Sequence, residues 1–352
     1  MFTIKPIFPV FESSPTTKYP MFILHRFPPF CKRYFKRVRK LIGSCHFSYF
    51  WRAVLSISSL SGKKSLSQFR KHSGAKRTRQ AISHFLTKAQ WDAPDILLDT
   101  ALNTLRTLGW KSGDTLYLVI DDTQKAKRAK QMDAVSKIYL HAEKRYANRH
   151  TIVGAAFVYR NTVVPCAVRL WASRDYCDKS KNNNPHEQRE FKTLTELAAE
   201  CIHSVRLPSQ GKAIVLFDKF YLCDTVVKAC QTKGYHYIGA VKSNRNFYPD
   251  GRPNDKKKLS GYGQKVLARE GKFTTIKDSK KKHRLAEKAG EMKKLGRVKL
   301  ALSRRAGEQS WIIVATDHLR WFLFFPVLIF LWLGCSLSVV LVVFPRSLKV
   351  RL

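Results

Sequence analysis

The chain has 352 residues, enough to bury a sizeable core in one large or two ordinary domains, which argues against a disordered tail protein. Lysine and arginine number 65 against 25 aspartate and glutamate residues, a formal net charge of +40. Such a surplus indicates a polyanionic partner. Nucleic acid is favoured over an anionic membrane surface, because neutralised phosphates release condensed counterions.

The eight cysteines are scattered, with no Cys-x-x-Cys pair and no cysteine–histidine cluster at zinc spacing. We interpret them as reduced thiols, which predicts a cytoplasmic protein. Apolar residues near the N-terminus are interrupted by charged residues and prolines, so no signal peptide is predicted.

The first third of the chain changes from irregular to helical. Residues 1–30 are proline-rich and are predicted to be irregular. Residues 31–110 are predicted to be helical, because apolar residues recur at helical spacing around 82–86 and 96–105. Since this region is also rich in lysine and arginine, it is predicted to be the basic helical DNA-binding region.

Clusters of lysine and arginine lie in this helical region. Charge runs of this kind are usually solvated helix faces, but the net charge of +40 shifts the interpretation towards contact with nucleic acid. The DNA-binding candidates are Lys36, Arg37, Arg77 and Arg79.

From residue 111 the pattern changes to alternating strands and helices. The apolar run 116–120 predicts a buried strand, and two β-rich runs hinged at Asn161 predict a hairpin. The order strand, hairpin, helix, strand, helix, strand predicts a mixed α/β fold with a central sheet. The later elements are predicted at 187–205 (helix), 213–217 (strand), 222–233 (helix) and 235–241 (strand).

A second basic segment follows these elements. Residues 246–310 are dominated by lysine and arginine and are interpreted as an insertion on a core that spans 111–321. Strands predicted at 298–303 and 311–315 bracket or finish this insertion.

Two carboxylates follow predicted strands, at positions suited to chemistry. Asp122 and Asp218 each come after a run of strand-like residues. Mg²⁺ takes one or two carboxylates together with waters and substrate phosphates. Taken singly, each acid is more often a helix cap or a turn residue. Since strand side chains alternate, Asp121 and Asp122 are expected on opposite faces, and spacing does not choose between them.

Three segments resemble one known family. They are 118–123 (Leu-Val-Ile-Asp-Asp-Thr), 215–221 (Val-Leu-Phe-Asp-Lys-Phe-Tyr) and 238–245 (Ile-Gly-Ala-Val-Lys-Ser-Asn-Arg). Over roughly residues 80–318 the chain resembles the DDE superfamily endonucleases, the insertion-sequence transposases with an RNase H-like catalytic domain.

The resemblance implies roles for particular residues. The aspartate directly before the threonine, Asp122, and the motif aspartate, Asp218, would be catalytic ligands of Mg²⁺ or Mn²⁺. Lys242 and Arg245 would lie against DNA. The implied partners are the terminal repeats of the element, target DNA and a second copy of the chain in a transposition complex.

The family's third acid is a glutamate on a helix after a strand like 311–317, and no glutamate follows Glu308. Instead an apolar tail, 322–352, begins abruptly. A frameshifted or truncated reading frame is favoured over a transmembrane anchor. A buried core helix is the third alternative, disfavoured by Pro326 and a β-branched run.

These observations predict an insertion-sequence transposase that is inactive as it stands, because the third acid is missing. The alternatives are a non-catalytic DNA-binding remnant or an inhibitor of transposition. A membrane-anchored nucleic-acid binder is a further alternative, and it requires the tail to be a genuine membrane segment.

Overall fold

The computed structural model describes residues 29–59, 65–72, 78–89, 91–126, 132–140, 144–160, 162–183, 189–208, 211–250, 252, 254–276 and 281–318. Residues 1–28, the DNA-binding candidate Arg77 and the apolar tail lie outside this part of the chain. The chain divides into two compact units. Among the described residues, one unit contains residues 29–109 with Tyr159–Val164, and the other contains Trp110–Val158 and residues 165–318.

The first unit is helical, in agreement with the predicted fold class. Thr78 caps α4 by accepting the backbone N–H of Ala81, and Asp92 caps α5 by accepting that of Asp95. Gly43 has a φ of +81°, a left-handed conformation that glycine adopts without strain, and it separates the first two helices. The helices are α1 Pro29–Ile42, α2 Ser44–Ser59, α3 Leu66–His72, α4 Arg79–Lys88 and α5 Ala93–Thr107.

An apolar core holds these helices together. Val38 and Ile42 of α1 pack with Phe85 of α4 and Ile96 of α5. Aromatic rings surround this cluster; Phe85 and Trp91 stack with their centroids 5.9 Å apart. The helical spacing seen at 82–86 and 96–105 therefore marks the buried faces of α4 and α5.

The second unit is built on a mixed sheet. Strand β1 pairs antiparallel with β3 and parallel with β5, and β5 pairs parallel with β6. The strands are β1 Thr115–Ala126, β2 Ser136–Leu140, β3 Arg145–Tyr159, β4 Thr162–Trp171, β5 Lys212–Phe217 and β6 His236–Ala240. The helices are α6 Arg174–Asn183, α7 Leu194–Ser204, α8 Asp224–Thr232 and α9 Leu259–Glu270. The pattern of strands and helices predicted this mixed sheet, and the arrangement is the RNase H-like core that the family resemblance implies.

The central strands are buried because both of their faces are covered. Residues 213–217 of β5 are all buried, as are Leu118 and Ile120 of β1. Gly239 of β6 is a position where only glycine fits, because an added Cβ would lie 2.4 Å from the ring of Phe217. The ring of Phe217, which directly precedes Asp218, is thereby packed against the backbone of β6.

The predicted basic insertion continues the same sheet. Strand β12 pairs antiparallel with β6, β11 with β12, and β10 with β11. The additional strands are β7 Asn246–Pro249, β8 Lys257–Lys258, β9 Lys272–Ile276, β10 Lys281–Met292, β11 Gly296–Arg305 and β12 Trp311–Thr316. Among the described residues β12, which follows the insertion, joins the strands of the insertion to β6, and the core sheet therefore extends beyond β6.

No helix in the described ranges has both the length and the apolar character needed to cross a bilayer.

Candidate active site

The two predicted acids lie at one edge of the parallel part of the sheet. Parallel pairing of β1 with β5 ends at Ile120 and Phe217, so Asp121 and Asp122 of β1 lie just beyond it, and Asp218 directly follows β5. Strand β1 does not end there, although the sequence predicts an end before Asp121. It continues to Ala126, because the long β3 still supplies hydrogen-bond partners and pairs Asp122 with Val153.

Asp122 is fixed by a tyrosine from the other motif. The hydroxyl of Tyr221 donates a hydrogen bond of 2.9 Å to Oδ1 of Asp122. Tyr221 is fully buried, and Asp122 is half-buried. Burial and the charge of Asp122 raise the pKa of Tyr221, so the hydroxyl keeps its proton and remains a donor.

Asp218 is fixed by the turn that follows it. Its Oδ1 accepts the backbone N–H of Phe220 at 2.8 Å and that of Tyr221 at 3.3 Å. An aspartate side chain commonly closes a turn in this way, by accepting amides two and three residues ahead. The same residue, Tyr221, thus contacts both acids.

The carboxylates interact electrostatically. Burial raises the pKa of Asp122, the Tyr221 hydroxyl opposes this rise, and the negative charge of Asp218 adds to it. The pKa of Asp121 is raised to about 7, chiefly by burial; the backbone N–H of Asp122 lowers it, and the charges of Asp122 and Asp218 raise it. The structure therefore brings three acids into one region of concentrated negative charge, where a cation would relieve the repulsion.

The geometry distinguishes Asp121 from Asp122, which the sequence spacing does not. Oδ1 of Asp121 accepts the backbone N–H of the adjacent Asp122 at 2.9 Å, a local contact. Asp122 instead contacts Tyr221, whose own N–H binds Asp218. Asp122 is therefore the acid of β1 that shares a partner with Asp218.

The raised pKa of Asp121 predicts a pH dependence of stability. Between the ordinary value of 3.8 and about 7 the folded chain binds a proton at Asp121 that the unfolded chain has released. The free energy of unfolding therefore falls as pH rises through this range. In metal-free buffer, urea unfolding of the wild type relative to Asp121→Asn should show this decline. A difference that is constant or rises with pH would contradict it.

Two carboxylates fit a magnesium site. Within the described residues no group of three or more His, Cys, Asp or Glu side chains is placed to hold a metal ion. Mg²⁺ needs only one or two carboxylates when substrate phosphates and waters complete its shell. Among the described contacts, the hydrogen bonds of Asp122 and Asp218 use Oδ1 only, so Oδ2 of each acid remains for a cation.

Asp317 does not complete this site. Its Oδ1 accepts the backbone N–H of Tyr237 at 3.0 Å, and its Oδ2 lies 3.3 Å from Nδ1 of His236. Both partners are at the amino end of β6, whereas Asp218 follows the carboxyl end of the parallel neighbour β5. The acid after β12 is therefore at the opposite edge of the sheet.

The two basic candidates of the third motif follow β6, on the same edge as Asp218. Lys242 is exposed. Arg245 is half-buried, and its Nη2 donates to the carbonyl of Leu222, the residue after Tyr221. Burial lowers the pKa of Arg245. The structure thus brings Arg245 beside the turn that holds both acids.

The basic candidates of the helical unit differ from one another. Lys36 of α1 and Arg79 of α4 are exposed. Arg37 forms an ion pair of 2.8 Å with Asp99 of α5, and Asp99 is only 6% exposed. Arg37 therefore has a structural partner that the sequence pattern did not indicate.

Tyr221 is the residue of the site to which sequence reasoning assigned no role. It belongs to a motif segment, but its contact with Asp122 joins residues 99 positions apart. A tyrosine after an apolar strand is usually a core residue. No local pattern could indicate the hydrogen bond.

A mixed sheet with acids at the carboxyl edge of its parallel strands is an arrangement of the RNase H-like class. A family model of the DDE superfamily endonucleases matches residues 54–303, which is more than half of the chain. The chain belongs to the DDE superfamily endonuclease family. A search of curated proteins finds no match.

Proposed function

We propose that the chain is a DNA transposase of the insertion-sequence type, with Asp122 and Asp218 as ligands of Mg²⁺ or Mn²⁺. The observation that carries the proposal is the pair of acids held by one turn, at the edge where β1 and β5 end their parallel pairing. The family match supports DNA as the substrate.

In the proposed reaction, water attacks a phosphodiester at the end of the element, and the 3′-oxygen leaves as a free hydroxyl. That hydroxyl then attacks a phosphodiester of target DNA: a new phosphodiester forms between the 3′-oxygen of the element and the target phosphorus, and the 3′-oxygen of the target strand leaves as a hydroxyl. Bound divalent ions supply activation of the attacking oxygen and stabilisation of the leaving oxygen.

In this reaction the protein supplies carboxylates that bind the divalent ions and basic side chains that bind DNA phosphates. Asp122 and Asp218 supply the carboxylates, and each accepts a hydrogen bond from Tyr221. Lys242 and Arg245 are proposed to bind phosphates that flank the cleaved bond, since both follow β6 on the edge that carries Asp218.

The basic helices of the first unit are proposed to hold the terminal repeats. Lys36 and Arg79 are exposed there, as contacts with the DNA backbone require. Arg77, which lies outside the described residues, belongs to the same proposal.

The chain supplies two of the three acids that the family resemblance implies. Beyond Glu308 the sequence contains no glutamate, and Asp317 lies at the opposite edge of the sheet. We therefore propose that the chain as it stands binds DNA and divalent ions but does not complete cleavage. A non-catalytic binder that competes for the ends of an element is the second candidate, favoured by the same observation.

Both candidate functions include DNA binding, so a DNA-cleavage assay is needed to distinguish them. The test compares the chain with a version in which a glutamate-bearing helix follows Asp317. Restored metal-dependent cleavage that requires Asp122 and Asp218 supports the transposase. A restored chain that binds DNA and never cleaves it favours the binder.

A further inference from the structure

Tyr221 connects the two acids through different atoms. Its backbone N–H donates to Oδ1 of Asp218 at 3.3 Å, and its hydroxyl donates to Oδ1 of Asp122 at 2.9 Å. The first contact belongs to a local turn, and the second crosses from that turn to β1. One residue therefore contacts two acidic side chains that are remote in sequence.

The hydroxyl is not required merely because the ring is buried. Tyr237 is also fully buried, and its hydroxyl has no hydrogen-bond partner among the described residues. A buried phenol in this fold therefore need not have an acceptor among the described residues. The hydroxyl of Tyr221, in contrast, is directed at a carboxylate of the candidate active site.

We propose that Tyr221 is a positioning residue for metal binding, whose hydroxyl orients the carboxylate of Asp122 so that it and Asp218 bind one divalent cation. This inference rests on the proposed function, because it takes the two acids as the metal ligands. In addition, it assigns the orientation of a ligand carboxylate to Tyr221, a residue that does not itself contact the cation.

The physical reason is repulsion between the acids. Before a cation binds, the two negative charges favour rotation of Asp122 away from Asp218. A donor on Oδ1 opposes that rotation and leaves Oδ2 for the cation. Partners of this kind lower the cost of ordering a ligand, and their loss typically weakens metal affinity about 10- to 100-fold.

The test is a titration of the intact chain with Mn²⁺ at constant pH and salt. Electron paramagnetic resonance measures the concentration of the free ion at each point of the titration. Tyr221→Phe keeps the ring and removes only the hydroxyl. It is expected to raise the dissociation constant for Mn²⁺ by about tenfold or more. Tyr237→Phe is the matched control and is expected to bind Mn²⁺ as the wild type does, because it removes a hydroxyl without a described partner.

Asp122→Asn separates failure of the inference from failure of the proposed function. If Asp122→Asn binds Mn²⁺ as tightly as the wild type, the acid is not a ligand and both are overturned. If Asp122→Asn loses binding while Tyr221→Phe binds like the wild type, the positioning role alone is overturned. Thermal unfolding of each variant shows whether the fold is kept.

A second measurement leaves Tyr221 unchanged. Addition of Mg²⁺ to the wild type is expected to give a tyrosine difference absorbance, because cation binding at Asp122 alters the hydrogen bond to the phenol. Asp122→Asn should lose this signal, and Tyr237→Phe should retain it. A wild-type chain that binds Mn²⁺ but gives no tyrosine signal with Mg²⁺ would overturn the inference.

Discussion

Replacing Asp122 or Asp218 by alanine, in a chain with a glutamate-bearing helix restored after Asp317, is expected to abolish metal-dependent DNA cleavage. Loss of a direct ligand should exceed the roughly 10- to 100-fold cost that is typical for the loss of outer-shell partners. DNA binding should persist, because it depends on lysine and arginine contacts with phosphates. Cleavage of a labelled terminal-repeat duplex and its binding are measured on the same preparations.

Glu291→Ala provides the control for this experiment. Glu291 is an exposed acid on β10 and is remote in sequence from both motifs. Its replacement removes one negative charge from the chain, as Asp122→Ala does, and should leave cleavage unchanged. Equal cleavage by Asp122→Ala, Asp218→Ala and the restored chain would refute the assignment of the two acids.

The affinity of the chain for duplex DNA should fall steeply with salt. A protein that makes 6 to 10 phosphate contacts loses about 10³- to 10⁵-fold in affinity between 50 and 200 mM salt. With a net charge of +40 the chain has ample cations for this number of contacts. Fluorescence anisotropy with duplexes of unrelated sequence measures the slope. A loss of less than about tenfold over that range would argue against a phosphate-dominated interface.

Alanine variants of two neighbouring residues distinguish a DNA contact from a structural ion pair. Lys36→Ala should reduce the slope of log affinity against log salt by about one, because an exposed lysine that contacts a phosphate contributes one released counterion. Arg37→Ala should instead lower thermal stability, because Asp99 would lose its ion-pair partner while it stays buried. An unchanged slope for Lys36→Ala would remove that residue from the interface.

Much of the core could be predicted because its strands are buried on both faces. The run 213–217 contains only apolar residues and forms β5 almost at the predicted positions. Strand β6 also lies almost at its predicted position. Gly234, with a φ of +66°, separates this strand from the preceding helix. Burial of this kind leaves a continuous apolar signature in the sequence.

The remaining features depend on partners that a local pattern does not contain. The extension of β1 to Ala126 requires β3, whose pairing runs from Val158 to Arg149. The continuation of the sheet into β12 requires pairing of Val314 with Ala240. The ion pair of Arg37 and the hydrogen bond of Tyr221 likewise join residues on different elements. The motif acids stand out in the sequence, whereas the contact of Tyr221 with both of them depends on the fold.

We propose above that Asp122 and Asp218 together form a divalent-cation site. Its most direct test is a Mn²⁺ titration of the unaltered chain beside Asp122→Asn and Asp218→Asn, which requires no cleavage activity. The geometry predicts that each substitution weakens Mn²⁺ binding by at least about 100-fold, with the fold retained. Wild-type affinity in both variants would contradict the claim.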